Sequence, residues 1–201
     1  MLLLHYTGMP SAEAALARLC DGAAKVSAHY VIDEDGGISA LVPEARRAWH
    51  AGVGCWAGDV DINGCAIGIE LVNPGHEFGY RAFPPRQMDA LTGLCLEILA
   101  RHPIPSHRVL GHADVAPARK QDPGELFDWA SLAASGIGLW PGPGAATPVA
   151  ADLAQFGYDV AGAGMRACAA AFQRHWRPGR IDGIMDDECG RLLAGLLDQM
   201  A

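Results

Sequence analysis

Apolar residues in this chain fall into short unbroken runs and longer runs with a helical repeat, and the two kinds alternate. Met1 to Tyr6 is an apolar run that turns polar at its end, which predicts a buried strand surfacing at His5 and turning over Thr7 to Pro10. Ser11 stands where it can cap a helix reaching about Leu19, with Ala14, Ala15 and Leu16 inward. Val26 to Ile32 and Ile38 to Val42 flank an Asp35-Gly36-Gly37 turn and read as a hairpin. Ala66 to Val72, A-I-G-I-E-L-V, is the most strand-like run in the chain. From Pro85 to Arg101, Met88, Leu91, Cys95, Ile98 and Leu99 recur at helical spacing and predict a helix with one core face. Arg108 to Gly111 reads as a brief strand, and the segment after Leu126 as a short helix ending near Ala134.

Gly136 to Gly144, G-I-G-L-W-P-G-P-G, has no such period and reads as a linker. A second unit follows. Thr147 is its N-cap with Pro148 at the first helical position, Val149, Leu153 and Phe156 form a stripe, and Gly157 stops the helix. A second helix from about Gly164 turns Met165, Cys168, Phe172 and Trp176 inward; a third does the same with Leu192, Leu193, Leu196 and Leu197. Three amphipathic helices in about 55 residues make a bundle near the lower size limit for independent folding. None carries a catalytic constellation, so binding or support is their expected work.

Composition narrows the classes. Half of the 201 residues are hydrophobic, enough for one ordinary core with a small appendage, and the 25 glycines and 13 prolines imply many turns. A formal net charge of −8, with no basic cluster longer than Arg46-Arg47, excludes a nonspecific nucleic-acid binder. The six cysteines form no C-x-x-C pair, and Cys95, Cys168 and Cys189 lie in apolar helical patterns where a thiol acts as a small hydrophobe. Reduced thiols are expected, with Cys55 and Cys65 the one pairing left open. Met1 is followed at once by Leu2-Leu3-Leu4-His5, too short an apolar run for a signal peptide or a membrane span. The chain as written predicts a cytoplasmic protein with no transmembrane segment, or a periplasmic one if an export leader has been removed. No oligomer is implied.

The chemistry concentrates in Gly111 to Gly124, G-H-A-D-V-A-P-A-R-K-Q-D-P-G. Pro117 and Pro123 fix φ and lack amide donors, so this is a held loop rather than a continuous helix. Taken alone it reads equally as a surface loop whose Asp114 and Asp122 cap turns. Two features elsewhere favour a site. Glu70 interrupts the apolar strand 66–72, where a carboxylate is costly unless it is paired, hydrated or protonated. His5, at the end of the first strand, is placed to meet His112. His5, His112 and Asp122 would give a metal three nitrogen and oxygen donors and leave a fourth tetrahedral position open, as in catalytic zinc sites. Glu70 is then the expected general base and Lys120 the cation for an oxyanion. The sum is metal-assisted amide hydrolysis without a covalent nucleophile, since no G-x-S-x-G motif is present.

The fragments L-H-Y-T-G, S-A-H-Y-V-I, A-W-H-A-G-V, I-G-I-E-L and G-H-A-D-V-A-P-A-R-K-Q-D-P-G, with D-W-A-S-L-A-A-S-G-I-G-L-W-P after them, resemble the zinc-dependent N-acetylmuramoyl-L-alanine amidases of the amidase-2 group. These are related in fold to peptidoglycan recognition proteins and phage T7 lysozyme. The resemblance implies an α/β fold, a mixed central β-sheet flanked by helices, over residues 1–140. Residues 147–201, with A-F-Q-R-H-W-R-P and D-G-I-M-D, are similar to a three-helix peptidoglycan-binding module. It implies zinc on His5, His112 and Asp122, with Glu70 and Lys120 catalytic. Peptidoglycan fragments (muropeptides) are the implied partners, cut between N-acetylmuramic acid, intact or 1,6-anhydro, and L-alanine. His29, Tyr30, Trp49, His50, Asn63 and Arg119 fall near the family's cleft, His29 and His50 more as orienting groups than as zinc ligands. A noncatalytic peptidoglycan-binding protein is the alternative, and a lytic enzyme aimed at foreign walls a third. Asp61 stands where relatives often carry arginine, and Gly64-Cys65 replaces more polar residues, which implies an altered peptide preference.

Overall fold

The computed structural model describes residues 1–142 and 152–200. Thr147, Pro148 and Val149, the expected start of the second unit, lie outside the described residues. Five strands form one sheet in the order β3-β2-β4-β1-β5: β1 Leu2–Tyr6, β2 Tyr30–Ile32, β3 Ile38–Ala40, β4 Ile67–Leu71 and β5 Val109–Gly111. Only β3 runs antiparallel to its neighbour, so the sheet is mixed. The expected strand 26–32 shortens to its last residues because Ser27 N–H donates to the Trp49 carbonyl, tying that stretch to a loop instead of the sheet.

In chain order the helices are α1 Ala12–Cys20, α2 Ile62–Cys65, α3 Gly75–Phe78, α4 Pro85–Arg101, α5 His112–Val115, α6 Trp129–Ala134, α7 Asp152–Phe156, α8 Val160–Ala163, α9 Met165–Trp176 and α10 Asp187–Asp198. Ser11 caps α1 through its hydroxyl, and Pro85 opens α4, where a missing N–H is harmless. α5 is a single turn inside the stretch expected as an irregular loop. Among the described residues no helix is long and apolar enough to cross a membrane.

The period of two along each strand sorts side chains into two layers. Leu2, Leu4, Ile67, Ile69 and Leu71 face α4, which answers with Leu91, Leu94, Cys95 and Ile98. Gln87, also on α4, closes this layer by donating to the carbonyls of Ile32 and Val72. Leu3 and Leu110 point the other way, into one continuous core with Leu153, Phe156, Phe172 and Trp176 of the C-terminal helices. His5 shares that second face, so it does not surface as expected: the overlying layer leaves it buried. Ile137, in the stretch read as a linker, is fully buried in the α4 layer, and Leu139 and Trp140 are partly buried; residues 143–144 lie outside the described residues. Met165 is exposed at the first residue of α9, whose inward stripe begins at Cys168. All six cysteines are free thiols, Cys55 and Cys65 included.

On the outer edge, Arg101 and His102 bond Glu44 and Tyr30 donates its hydroxyl to it at 2.6 Å. Arg101 first, opposed by burial and helped by Tyr30 and His102, brings the Glu44 carboxyl down from 4.5 to about 2. A depressed carboxyl stabilises the fold above its unfolded value, and the contribution disappears as pH falls from 4.5 towards about 2. In metal-free protein, the stability margin of wild type over Glu44→Gln should therefore be present at pH 6 and shrink by pH 3. Urea midpoints at the two pH values check this, and an unchanged margin would refute it.

Candidate metal centre and active site

The site lies at the carboxyl ends of three adjacent parallel strands. His5 on β1 is in register with Glu70 on β4, and Leu4 with Gly111 on β5, so the residue after β5 brings His112 beside His5. The chain then turns through α5 and returns, where Ala113 N–H donates to the Asp122 carbonyl at 2.9 Å and closes the loop. His5 Nδ1 lies 2.9 Å from His112 Nδ1 and 3.1 Å from Asp122 Oδ2, and His112 Nδ1 lies 3.0 Å from the same oxygen. All three side chains are buried.

The donor set of this cluster suits a cation. His112 Nε2 is 2.8 Å from the Ala51 carbonyl, which only accepts, so a ring proton sits on Nε2 and Nδ1 is turned to His5 and Asp122. His5 Nε2 meets His50 Nδ1 at 3.0 Å; with that proton on His5, its Nδ1 presents a lone pair. Burial first, and then His112, lower the His5 pKa to about 4 against the pull of Asp122, so the ring is neutral at pH 7. Burial pushes the Asp122 carboxyl up, but His112 and His5 outweigh it and hold the group well below the usual range. Two imidazole nitrogens and one carboxylate oxygen converge, a donor set that suits a divalent cation. A tetrahedral zinc ion spreads nitrogen and oxygen ligands about 3.3–3.6 Å apart, a few tenths of an ångström wider than this cluster.

The supporting shell is equally specific. Asn63 Oδ1 accepts from the backbone N–H of His50 and Ala51, which fixes the loop that receives the His5 and His112 rings. The His50 ring lies flat against Gly68, where an added Cβ would stand 2.4 Å from it. His29 accepts from Gly68 N–H through Nδ1 and donates from Nε2 to the Arg46 carbonyl. Arg119 donates to the carbonyls of Ala51 and Val53.

A cleft of about 400 Å³ opens over the cluster, lined among others by Trp49, His50, Glu70, His112, Arg119 and Lys120. Glu70 Oε2 is closed off from solvent and has no hydrogen-bond partner among the described residues. Burial, then the Asp122 charge, raise the Glu70 carboxyl well above its ordinary value, with Lys120 opposing. Three of the expected cleft residues lie elsewhere. Asn63 and His29 are buried behind the site as braces. Tyr30 is in register with Ile69, so strand alternation turns it to the α4 side, where it meets Glu44. Cleft residues that the sequence reading passed over include Tyr6, Arg18 and His76; the position of Tyr6 directly after His5 was the available signal. Asp61 is paired with Arg47 at 2.6 Å, and that guanidinium lies 4.5 Å over the Trp49 ring, which is 54% exposed.

The family model described as N-acetylmuramoyl-L-alanine amidase matches residues 1–125. The chain belongs to this amidase family. The amidase is 37% identical to N-acetylmuramoyl-L-alanine amidase AmiD of Escherichia coli over 99% of its own length and 82% of that protein's. It superposes on the AmiD complex with anhydro-N-acetylmuramic acid-L-Ala-D-gamma-Glu-L-Lys at a TM-score of 0.88, covering 99% of this chain and 88% of that one. AMPDH3 of Pseudomonas aeruginosa, in complex with anhydromuramic pentapeptide, superposes at 0.89 with 34% identity, covering 100% of this chain and 91% of that one. The 1,6-anhydro-N-acetylmuramyl-L-alanine amidase AmpD of Citrobacter freundii is 39% identical, but over 55% of this chain and 57% of its own length.

Gly68→Ala should displace His50 from the sheet and so free the His5 ring. Zinc affinity, read by competition with a chromogenic chelator, is expected to fall about 10- to 100-fold. Wild-type affinity in that variant would remove His50 from the supporting shell.

Proposed function

We propose that this amidase binds one zinc ion through His5 Nδ1, His112 Nδ1 and Asp122, and that Glu70 and Lys120 carry the hydrolysis. The reaction is cleavage of the amide between N-acetylmuramic acid, or its 1,6-anhydro form, and L-alanine of the stem peptide. Solved complexes of AmiD and AMPDH3 hold anhydromuramic peptides, which supports soluble muropeptides as the substrate class here. The observation that carries the mechanism is Glu70, level with His5 on the next strand and holding an unpartnered oxygen. A noncatalytic binder has no use for a carboxylate with one oxygen closed off and unpartnered there.

When bound, zinc supplies the Lewis acidity that polarises the scissile carbonyl and eases ionisation of the attacking water. Glu70 takes the proton from that water as oxygen adds to the carbonyl carbon. Charge gathers on the former carbonyl oxygen, and the Lys120 ammonium, on the cleft wall, stabilises it. As the C–N bond breaks, Glu70 returns its proton to the departing amine of L-alanine, so the carboxylate ends as it began. His50 and the Ala51 carbonyl keep the two imidazoles in the tautomers that leave Nδ1 free.

Similarity of the C-terminal helices to a peptidoglycan-binding module rests on A-F-Q-R-H-W-R-P and D-G-I-M-D. Phe172, Gln173, His175 and Trp176 of the first motif are buried, and Gln173 holds Asp182 and the Ile184 carbonyl of the second. These residues serve the interior of the bundle, so a wall-binding surface there must be built from others.

Release of free stem peptide from an anhydromuropeptide tests the assignment. Glu70→Ala should retain zinc and lose turnover by about 10²- to 10⁴-fold; near-normal turnover would remove Glu70 from the chemistry. His112→Ala should lose the metal, and a variant with stoichiometric zinc would overturn the ligand set.

A further inference from the structure

Asp114 is a buried carboxylate that the mechanism does not use, and it lies on the single turn that carries His112. Its Oδ2 accepts from Gly111 N–H at 2.8 Å, at the step between β5 and His112. Two further donors come from the C-terminal part of the chain, one from the turn between α7 and α8 and one from α9. Tyr158 donates its hydroxyl to Oδ1 at 2.6 Å, and His175 Nδ1 lies 2.8 Å from Oδ2. All three side chains are at most 4% exposed. A carboxylate so deeply buried is tolerated only when it accepts hydrogen bonds, and two of its three donors here come from the other end of the chain.

Both donors are themselves fixed. His175 is stacked between Trp129 at 3.7 Å and Trp176 at 3.6 Å. Tyr158 is bridged through its backbone to Trp56, whose ring packs so closely on Gly157 that an added Cβ would stand 2.6 Å away. The receiving turn has little stability of its own, since four residues are too few for a self-supporting helix. Gly111 also has no slack: a Cβ there would meet Pro123 Cδ at 2.7 Å.

We propose that Tyr158 and His175 are positioning residues of the metal centre: through Asp114 they lock the Gly111–His112 step, so that the C-terminal helices complete the catalytic unit instead of merely accompanying it. This rests on the zinc reading above. The chemistry at the clamp is hydrogen bonding alone, with no group transferred.

Four variants of the full chain test it: Tyr158→Phe, His175→Ala, His175→Asn, which keeps an N–H donor near Nδ1, and Leu193→Ala, a core truncation in the same bundle away from Asp114. Zinc affinity by chelator competition, Tm, and separate kcat and KM for an anhydromuropeptide are measured on each. Tyr158→Phe and His175→Ala are expected to weaken zinc binding on the order of tenfold and lower kcat with little change in KM. His175→Asn should recover much of both. Leu193→Ala should lower Tm with zinc affinity unchanged. If Tyr158→Phe and His175→Ala lose Tm yet bind zinc and turn over as wild type does, the clamp is only structural and the proposal falls. A wild-type chain that takes up no zinc would instead overturn the metal reading itself, and the clamp with it.

Discussion

Two imidazole nitrogens and a carboxylate oxygen, all on buried side chains, meet at the floor of the cleft. Nitrogen and oxygen donors gathered at this spacing suit a positive charge held among them. The residues behind the cluster act in the same sense. The Ala51 carbonyl and His50 occupy the far nitrogens of the two rings, and this turns the near nitrogens towards each other and Asp122. Asn63 in turn holds the backbone that places His50 and Ala51, and Gly68 gives the His50 ring room to lie on the sheet.

Parallel strands supply the ruler for this assembly. Because β4, β1 and β5 run the same way and in register, their carboxyl ends present Glu70, His5 and His112 side by side. A slip of one residue in β1 would exchange His5 for Leu4 or Tyr6 and turn the imidazole into the α4 layer. The apolar alternation that fills that layer, Leu2 and Leu4 beside Ile67, Ile69 and Leu71, therefore also fixes the register of the chemistry. Core packing and ligand placement are one constraint.

The opposite layer couples the two ends of the chain. Leu3 and Leu110 of the sheet share a core with Leu153, Phe156, Phe172 and Trp176, and at its centre lies the polar knot of Asp114, Tyr158 and His175. Apolar contacts of this kind tolerate sliding, whereas a buried carboxylate with three directed donors allows one arrangement. The same interface that covers the back of the site thus also defines the position of the turn bearing His112.

Much of this was legible in the residues. The strand runs, the helix 85–101, the carboxylate set within 66–72 and the charged loop 111–124 each carry local signals, because periodicity, capping and the anomaly of a charge in an apolar run are properties of near neighbours. Those signals, with the motifs of the amidase family, were enough to name His5, Glu70, His112, Lys120 and Asp122 as candidates. They were not enough to separate His29, Tyr30 and Asn63 from Trp49, His50 and Arg119. Which of these faces the cleft depends on strand parity and on loop–sheet contacts between segments distant in sequence, such as Tyr30 opposite Ile69. Burial of His5 and Ile137 was decided in the same way, by layers that only close when the chain folds over itself. Asp114 was visible as a turn residue, but its partners stand 44 and 61 residues further on, and no local pattern joins them. Sequence determined the chemical types and the local conformation; tertiary structure alone decided which lone pairs meet, because distance in space is set by packing across the sheet and not by distance along the chain.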